Sequence, residues 1–488
     1  MPDEGLDKSV SAPLGFKKFF TSFRLRKHID SGDLRLTCST KKTAKQLQRD
    51  FIGSSRAFNS TRAFLFLRLS GETMTDFSIA TQFVHAGERR NAPKGVPAST
   101  PIYASSSFIY EQVEDIDRIV EGETSGFVYS RYGNPTVAGF EEAMAELERG
   151  RFAFAYGSGM AAIHAALLAC ELTSGSVVLA SRDLYGSTLE LFYTVFGAFG
   201  VKTLTEDFTD IAALRAKAFE INPAVLLCET LSNPLLKVCD IEEVSHIARE
   251  VVAKLIVDNT FATPYLCRPL DLGADFVVHS ATKYLGGHAD ATGGVVVAKE
   301  DFDKPALLGA LTLAGGVLSP WEAHSILRGI KTLCLRMEKQ CSNAERLAAQ
   351  LQKISQISEV IYPKNFEGTQ AEALDGTFHG SEYGAIVSIR LKEDTREAAY
   401  RFLNALNLCT RAASVGDLFT GIVHPATATH RELSPAKRAA IGITEGLIRI
   451  SIGIEDVNDI LADIEQAVRQ TVSLPRQADS LSYETVTI

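Results

Sequence analysis

The feature that most constrains this chain is a series of short apolar runs that alternate with amphipathic, helix-like stretches from about residue 136. Each run is continuously apolar, which is the pattern of a strand buried on both faces of a parallel sheet. The predicted strands are residues 176–180, 224–229, 254–258, 275–280 and 293–298. Because helices cross between parallel strands, the pattern predicts an α/β domain with a large, mostly parallel sheet.

Two signals extend this organisation. Asp240 and Glu243 have the spacing of a capping box, which satisfies free N–H groups where a helix begins. After Pro320 a long helical pattern leads into a second alternating region, about 358–472, which predicts a smaller C-terminal α+β domain. The predicted parts of the chain are an arm over 74–135, a large domain over 136–325, a C-terminal domain over 326–475 and a tail over 476–488.

Residues 1–73 have a different composition. They are rich in Ser and Thr, and their Lys and Arg outnumber their Asp and Glu, although the whole chain has a net charge of -9. Such a segment is typical of a transit peptide or of a tail that binds nucleic acid or membranes, but Asp3, Glu4 and Asp7 argue against a transit peptide. We predict a mostly disordered extension, or a stretch that precedes a true start at Met74.

The overall charge and the cysteine pattern narrow the function classes. A net charge of -9 does not favour nucleic acid or an anionic membrane as the main partner, so a small-molecule role is favoured. The 8 cysteines form no CxxC pair and no cluster at zinc spacing, which predicts reduced thiols in a cytosol and no metal site. With no signal peptide and no apolar run of about 18 residues, we predict a soluble, cytoplasmic protein.

Reactive side chains stand where predicted strands end. Ligands of parallel sheets bind beyond the carboxyl ends of the strands, and Asp258 ends one strand while the next runs directly into Ser280, Thr282 and Lys283. A lysine withdrawn from water is a nucleophile toward aldehydes, and hydroxyls donate hydrogen bonds to phosphate. Taken alone, each residue also fits a structural role, such as a loop anchor or a surface lysine.

The run Gly157–Ser158–Gly159–Met160 lies between a short apolar run and an Ala-rich helical stretch. Free N–H groups at a helix start, reached through small residues, bind phosphate by hydrogen bonds and the helix dipole. The spacing matches neither the P-loop nor the dinucleotide fingerprint, so it does not predict a nucleotide site. A strand-to-helix turn without a ligand is the alternative.

Seven motifs occur together between about residues 78 and 472: YSRYGNPT, GSGMAAI, DLYGST, ETLSNP, DNTFATP, VVHSATKYLGGH and GLIRISIGIED. In order and spacing they resemble the Cys/Met metabolism family of pyridoxal phosphate (PLP) enzymes, which includes cystathionine γ-synthase, cystathionine γ-lyase, O-acylhomoserine sulfhydrylase and methionine γ-lyase. The resemblance implies the fold type I, aspartate aminotransferase-like architecture, transsulfuration chemistry, and a homodimer or homotetramer acting on a small amino acid.

The resemblance also implies roles at the cofactor. Lys283 matches the lysine that holds PLP as a Schiff base and moves protons, and Asp258 matches the carboxylate paired with the pyridine nitrogen. Tyr185 matches the aromatic residue stacked on the ring, with a further part in proton transfer. Asn233 matches a polar contact near the ring oxygen. The matching phosphate contacts are Ser280, Thr282 and the backbone N–H groups of Gly159 and Met160.

Four further residues acquire roles in the same way. Tyr129 and Arg131 match residues that reach the phosphate of the neighbouring subunit's cofactor, which implies that a dimer is the smallest active unit. Arg449 matches the arginine whose planar guanidinium binds the substrate carboxylate, and Ser414 falls near that carboxylate.

Two departures bear on the substrate. Methionine γ-lyases tend to carry cysteine where this chain has Ser187, and cystathionine enzymes usually carry glutamate where it has Phe419, with Asp417 nearby. Overall likeness ranks cystathionine γ-synthase or γ-lyase first, followed by O-acylhomoserine sulfhydrylase and then methionine γ-lyase. Outside this group, a PLP aminotransferase and a PLP-binding protein without activity remain alternatives.

Overall fold

The structure is a computed structural model, and it describes residues 97–431 and 433–473. The predictions for the extension over 1–73, for the first part of the arm up to residue 96 and for the tail over 476–488 lie outside the described residues.

A seven-stranded sheet forms the first layer of the fold, in the order β1-β7-β6-β5-β4-β2-β3. Its strands are β1 (Phe152–Tyr156), β2 (Val177–Ser181), β3 (Lys202–Glu206), β4 (Val225–Glu229), β5 (Lys254–Asp258), β6 (Phe276–Ser280) and β7 (Gly294–Ala298). β2 to β6 pair in parallel, and β7 runs antiparallel to both β1 and β6. The prediction of a mostly parallel sheet is confirmed.

All five predicted strands are present, each within one residue of its predicted bounds. The prediction did not contain β3, whose sequence KTLTE is polar and whose side chains are largely accessible. β3 pairs only with β2, so it is an edge strand. An edge strand with one solvated face does not need the continuous apolar run by which buried parallel strands are recognised.

Helices cover both faces of this sheet, and the buried apolar residues form a separate cluster on each face. The helices from the arm to the last strand of the sheet are α1 (Val113–Val120), α2 (Pro135–Leu147), α3 (Gly159–Ala169), α4 (Gly186–Glu190), α5 (Ile211–Ile221), α6 (Ile241–Glu250) and α7 (Thr263–Leu266). Asp240 caps α6 as predicted, because its side chain accepts a hydrogen bond from the N–H of Glu243 at 3.1 Å.

The helical pattern after Pro320 is split into two helices in the structure. Three helices follow the large sheet: α8 (Lys304–Ala314), α9 (Pro320–Ile330) and α10 (Leu333–Leu351). The break lies beside Gly329, where an added Cβ would stand 2.1 Å from the carbonyl oxygen of Gly286. Arg336 of α10 donates to the carbonyl of Gly329 at 2.9 Å. At Gly329, α9 is therefore in close contact with the turn that follows Lys283.

A five-stranded sheet follows, in the order β10-β11-β12-β9-β8. Its strands are β8 (Ile357–Ile361), β9 (Ile386–Leu391), β10 (Thr410–Arg411), β11 (Gly421–Val423) and β12 (Leu447–Ser451), and its helices are α11 (Thr369–Thr377), α12 (Arg396–Ala405), α13 (Pro435–Ala440) and α14 (Val457–Ser473). The pairing is antiparallel except between β10 and β11. This region has its own apolar core, as expected of a smaller α+β unit.

Candidate active site

The carboxyl ends of three neighbouring strands bring polar side chains to one edge of the large sheet. Glu229 ends β4, Asp258 ends β5 and Ser280 ends β6, with Glu229 directly opposite Asp258 in the pairing register. Parallel strands end at a common edge, so residues at successive strand ends become neighbours.

Lys283 lies on the turn after β6. Its N–H donates to the carbonyl of Ser280 at 3.1 Å, and its own carbonyl accepts from the N–H of Gly287 at 2.8 Å. Thr282 anchors the turn, because its hydroxyl oxygen accepts from the N–H of Gly293 at 3.1 Å. Burial lowers the pKa of the Lys283 amine, Arg449 lowers it further, and Asp417 opposes the change. A lowered pKa favours the uncharged, nucleophilic amine.

The start of helix α3 faces the same strand end. Ser158 caps the helix by accepting from the N–H of Ala161 at 3.1 Å. A Cβ at Gly159 would stand 2.7 Å from the Cβ of Ser280, so only glycine lets the helix approach this closely. The N–H groups of Gly159 and Met160 belong to the first turn, which has no partners within the helix. Together with the hydroxyl of Ser280 they form a cradle whose chemistry suits a phosphate.

The two carboxyl groups at the strand ends have raised pKa values. Burial raises the pKa of Asp258, while hydrogen bonds from Thr260 and the nearby His279 lower it. The Thr260 N–H donates to Asp258 Oδ1 at 2.9 Å. Burial and the charge of Asp258 raise the pKa of Glu229 well above its usual range. A buried carboxylate of this kind suits a cationic ring nitrogen, because an opposite charge offsets the cost of burial.

Arg449 enters the site from β12 of the smaller sheet and is only 3% exposed. Its Nη1 donates to Asn233 Oδ1 at 2.9 Å and its Nη2 donates to the carbonyl of Ser414 at 3.2 Å, whereas its Nε has no partner within the described chain. Burial lowers its pKa to about 10, against the opposing effects of Tyr284 and Tyr185. A buried guanidinium that contacts only neutral oxygens suits an incoming carboxylate.

Tyr185 lies at the start of α4 with 38% of its surface exposed. Its N–H donates to Glu229 Oε1 at 2.6 Å, so its backbone is tied to the end of β4. Sequence reasoning placed no role on Glu229, although it stands in the ETLSNP motif. Its position at a strand end, directly before that polar run, was the available signal.

Among the described residues, no hydrogen bond or ring contact joins Tyr129 or Arg131 to this cluster. The Arg131 Nη1 donates to the carbonyl of Thr312 at 2.5 Å, and its guanidinium lies 4.5 Å from the ring centre of Tyr132. Tyr129 is 43% exposed. Within one chain Arg131 contacts the C-terminal turn of α8, and Tyr129 contacts only neighbours such as Tyr132 and Ser107 among the described residues. Their predicted role at another subunit's cofactor stays a prediction.

Three features together define a class of protein: a large, mostly parallel sheet, a smaller, mostly antiparallel sheet, and a lysine on the turn after a strand whose end faces a helix start. This is the class of fold type I PLP enzymes, whose cofactor needs an amine, an anion site and a carboxylate at the ring nitrogen. The described residues include an amine, a cradle of N–H groups with a hydroxyl, and a buried carboxyl group at this edge of the sheet.

The chain belongs to the Cys/Met metabolism PLP-dependent enzyme family, whose family model matches residues 80–469. It is 41% identical over 393 residues to L-methionine gamma-lyase of Pseudomonas putida, which covers 80% of this chain and 97% of that protein. O-succinylhomoserine sulfhydrylase of Pseudomonas aeruginosa is 40% identical over 388 residues, covering 80% and 94%.

Solved structures give the same result. Cystathionine gamma synthase from Xanthomonas oryzae pv. oryzae, in complex with aminoacrylate and cysteine, superposes with a TM-score of 0.72 at 34% identity. The match covers 77% of this chain and 94% of that one. The protein is therefore a PLP-dependent enzyme of sulfur amino acid metabolism. Across the described ranges 97–431 and 433–473, no helix is long and apolar enough to span a membrane.

Proposed function

We propose that this enzyme catalyses γ-elimination and γ-replacement on amino acids whose γ-substituent carries no distal ammonium group, with methionine-type thioethers as the leading substrates. Lys283 is the cofactor anchor and the base, and Arg449 is the carboxylate receptor. The observation that carries the substrate class is the burial of Asp417.

In this proposal Asp258, the hydroxyls of Ser280 and Thr282 and the N–H groups at the start of α3 hold the cofactor. Bound PLP supplies an electron sink for the charge that develops at the α-carbon when its proton leaves. Asn233 lies beside the same space, and its amide nitrogen is free to donate while its Oδ1 holds Arg449. We assign Tyr185, which is 38% exposed at the start of α4, to stacking on the ring.

The substrate's orientation depends on Arg449. Two parallel N–H···O bonds to the substrate carboxylate fix the α-carbon with respect to the protein. Arg449 is close enough to Lys283 to lower the pKa of its amine, so a carboxylate bound there lies on the side of the site where Lys283 works. The neutral amine that burial favours removes the α-proton and then returns protons at the later steps.

The surroundings of Asp417 restrict the leaving group. Asp417 is 4% exposed, and its backbone carbonyl accepts from Gln340 Nε2 at 2.8 Å. Burial raises its pKa, whereas Ser414, Lys283 and then the N–H of Ala289 lower it. The carboxylate is therefore buried with Ser414, Lys283 and Ala289 of its own chain nearby, although its Oδ1 has no hydrogen-bond partner among the described residues. We infer from this burial that it does not receive a distal ammonium group of a substrate.

Phe419 occupies the position at which cystathionine enzymes usually carry glutamate, so it supplies no charge there. This supports substrates with short, uncharged γ-substituents and reverses the ranking that overall likeness of the motifs suggested. O-acylhomoserine sulfhydrylase is the second candidate, because Ser187 stands where methionine γ-lyases tend to carry cysteine.

The deciding experiment measures products. The purified holoenzyme is incubated separately with methionine, cystathionine, O-acetylhomoserine plus sulfide, and O-succinylhomoserine plus sulfide. We expect 2-oxobutanoate, ammonia and methanethiol from methionine, and homocysteine from the ester reactions if the second candidate holds. Cystathionine cleavage with the highest kcat/KM contradicts the proposed substrate class.

Phe419→Glu tests the same idea from the opposite direction. The new carboxylate is expected to raise kcat/KM for cystathionine about tenfold relative to methionine, because a charge-assisted hydrogen bond contributes roughly 1.5 kcal/mol or more. Phe419→Gln is the matched control, since it has the same shape without the charge. Equal changes for Glu and Gln count against a missing carboxylate as the cause of selectivity.

A further inference from the structure

Glu229 is a half-buried residue at the end of β4 whose side chain holds the backbone of another segment. Its Oε1 accepts a hydrogen bond from the N–H of Tyr185 at 2.6 Å, although the two residues are 44 positions apart in the sequence. Glu229 also stands directly opposite Asp258 in the pairing of β4 with β5. The contact therefore ties the backbone of Tyr185 to the strand end beside Asp258.

The N–H of Tyr185 has no partner within helix α4. Tyr185 directly precedes that helix, and its carbonyl accepts from the N–H of Thr188 at 2.9 Å. The N–H groups at a helix start have no partner in the helix itself and need one elsewhere. Among the described residues, Glu229 is the one hydrogen-bond partner of this N–H.

The ring of Tyr185 depends on its backbone for its position. With 38% of its surface exposed, the residue lacks the packing on all sides that holds a buried side chain in place. The residues before it are held by a separate contact, an ion pair in which Lys237 Nζ lies 2.9 Å from Asp183 Oδ2. Loss of the contact with Glu229 is therefore expected to move Tyr185 locally and to leave the preceding residues in place.

We propose that Glu229 is a positioning residue for Tyr185: its carboxyl group holds the N–H of Tyr185, and this places the ring for stacking on the cofactor. The inference rests on the proposed stacking role of Tyr185 and extends it to the residue that fixes the ring. Because Glu229 acts through Tyr185, its effect on the cofactor requires the ring to be present.

The contact does not depend on the charge of Glu229. Burial and then the charge of Asp258 raise the pKa of Glu229 well above its usual range, and the hydrogen bond from Tyr185 opposes this change. A carboxyl group can accept a hydrogen bond whether or not it is protonated, and so can the amide oxygen of glutamine. Glu229→Gln therefore keeps the acceptor, whereas Glu229→Met has a similar length and removes it.

Glu141 provides a matched control in the same domain. It lies on α2, is half-buried, and its Oε1 accepts from the N–H of Ala155 in β1 at 2.9 Å. Burial raises its pKa to about 7, and the hydrogen bond from Ala155 opposes this change. Both carboxyl groups therefore hold one backbone N–H. They differ in place, because β7, β6 and β5 separate β1 from β4 in the sheet.

The test is a double-mutant cycle on the Kd of PLP, measured by equilibrium dialysis of the holoenzyme. Tyr185→Ala is expected to raise this Kd about tenfold, the effect of one lost stacking contact. Glu229→Met should raise it about fivefold, because the ring is displaced but still present. In the Tyr185→Ala background, Glu229→Met should change the Kd less than about twofold, because no ring is left to place. Glu229→Ala removes the same acceptor and replaces Glu229→Met in the cycle if that variant does not fold.

The acceptor and its location are tested with the remaining variants. Glu229→Gln is expected to keep the Kd of PLP within about twofold of wild type. Glu141→Met and Glu141→Gln should both leave this Kd unchanged, although Glu141→Met lowers Tm because it removes a hydrogen-bond acceptor.

Amide hydrogen exchange of the holoenzyme measures the contact itself. The N–H of Tyr185 should exchange faster in Glu229→Met than in wild type or in Glu229→Gln. A merely structural role would lower Tm for Glu229→Met and raise the Kd of PLP by the same factor with and without the Tyr185 ring.

Two outcomes overturn the inference in distinguishable ways. If Tyr185→Ala leaves the Kd of PLP unchanged, Tyr185 does not stack on the cofactor, and the role of Glu229 falls with it. If Tyr185→Ala weakens PLP binding, but Glu229→Met has no effect or the same effect in both backgrounds, only the role of Glu229 is wrong.

Discussion

Two arginines in the C-terminal part of the chain, Arg438 and Arg449, are equally buried but have opposite surroundings. Arg438 Nη2 forms an ion pair with Glu445 Oε1 at 2.8 Å, and its Nη1 donates to the carbonyl of Leu433 at 2.7 Å. Within the part of the chain that the structure describes, Arg449 donates only to the neutral oxygens of Asn233 and Ser414. A buried charge with its counterion in the chain is a stabilising element, whereas one that contacts neutral groups alone is suited to a ligand.

The carboxylates of the large sheet show the same contrast. Glu148 is fully buried, and its Oε1 lies 2.6 Å from His279 Nε2 and accepts from Asn259 Nδ2 at 2.9 Å. Asp258 has beside it another carboxyl group, that of Glu229. No Lys or Arg of the described chain forms an ion pair with Asp258, so it is suited to a charge from outside the chain.

Among the residues of the candidate site, Lys283→Ala gives the largest expected effect. Turnover should fall by at least about a thousandfold, because the amine both anchors the cofactor and moves protons. The absorbance of covalently bound PLP should disappear, while Tm of the apoprotein stays within a few degrees. Persistence of that absorbance would show that another lysine is the anchor.

Asp258→Asn should lower kcat by about a hundredfold, because a neutral amide no longer stabilises a positively charged ring nitrogen. Glu148→Gln is the contrasting change. It removes a partner of buried His279 and should lower the free energy of unfolding by about 3 kcal/mol. Urea unfolding and steady-state kinetics are measured for both variants. An equal loss of unfolding free energy in Asp258→Asn and Glu148→Gln would contradict the contrast between the two carboxylates.

Arg449→Gln is expected to raise KM for the amino-acid substrate about thirtyfold, since a bidentate charge-assisted contact is lost. The unfolding free energy should stay the same or rise, because a buried charge without a counterion is removed. Arg438→Gln should do the reverse and lower stability with KM unchanged. The measurements are KM and the urea midpoint for both variants.

The smallest effect concerns pH. Ion pairs with Arg396 and then Arg438 lower the pKa of Glu445 to about 2. Because the folded pKa lies below the ordinary value of 4.5, the stabilisation is complete above about pH 4.5 and is lost as pH falls toward 2. Glu445→Gln should flatten that part of the Tm curve between pH 5 and pH 2.5, relative to wild type. If the curves of Tm against pH for the variant and the wild type are parallel, these ion pairs contribute nothing to stability.

The local sequence pattern was sufficient to predict the buried strands and to place Asp258, Ser280 and Lys283 near one another, since the strand ends of a parallel sheet lie at one edge. It was not enough for β3, whose polar edge sequence resembles a loop. The burial of Asp417 and the contact between Asn233 and Arg449, which are 216 residues apart, depend on packing between the two sheets. Such contacts have no signature in the sequence around either residue.

The approach of Gly159 to Ser280 has a consequence for how this sequence can change over time. Any side chain at residue 159 would collide with Ser280, whereas a Cβ at Gly376 meets nothing within 4 Å. Many residue types can replace Gly376 without a steric clash. No substitution of Gly159 keeps helix α3 at its present distance from Ser280. In proteins that evolve from this one, a residue other than glycine at position 159 is therefore expected to indicate loss of the anion cradle and of the chemistry that depends on it.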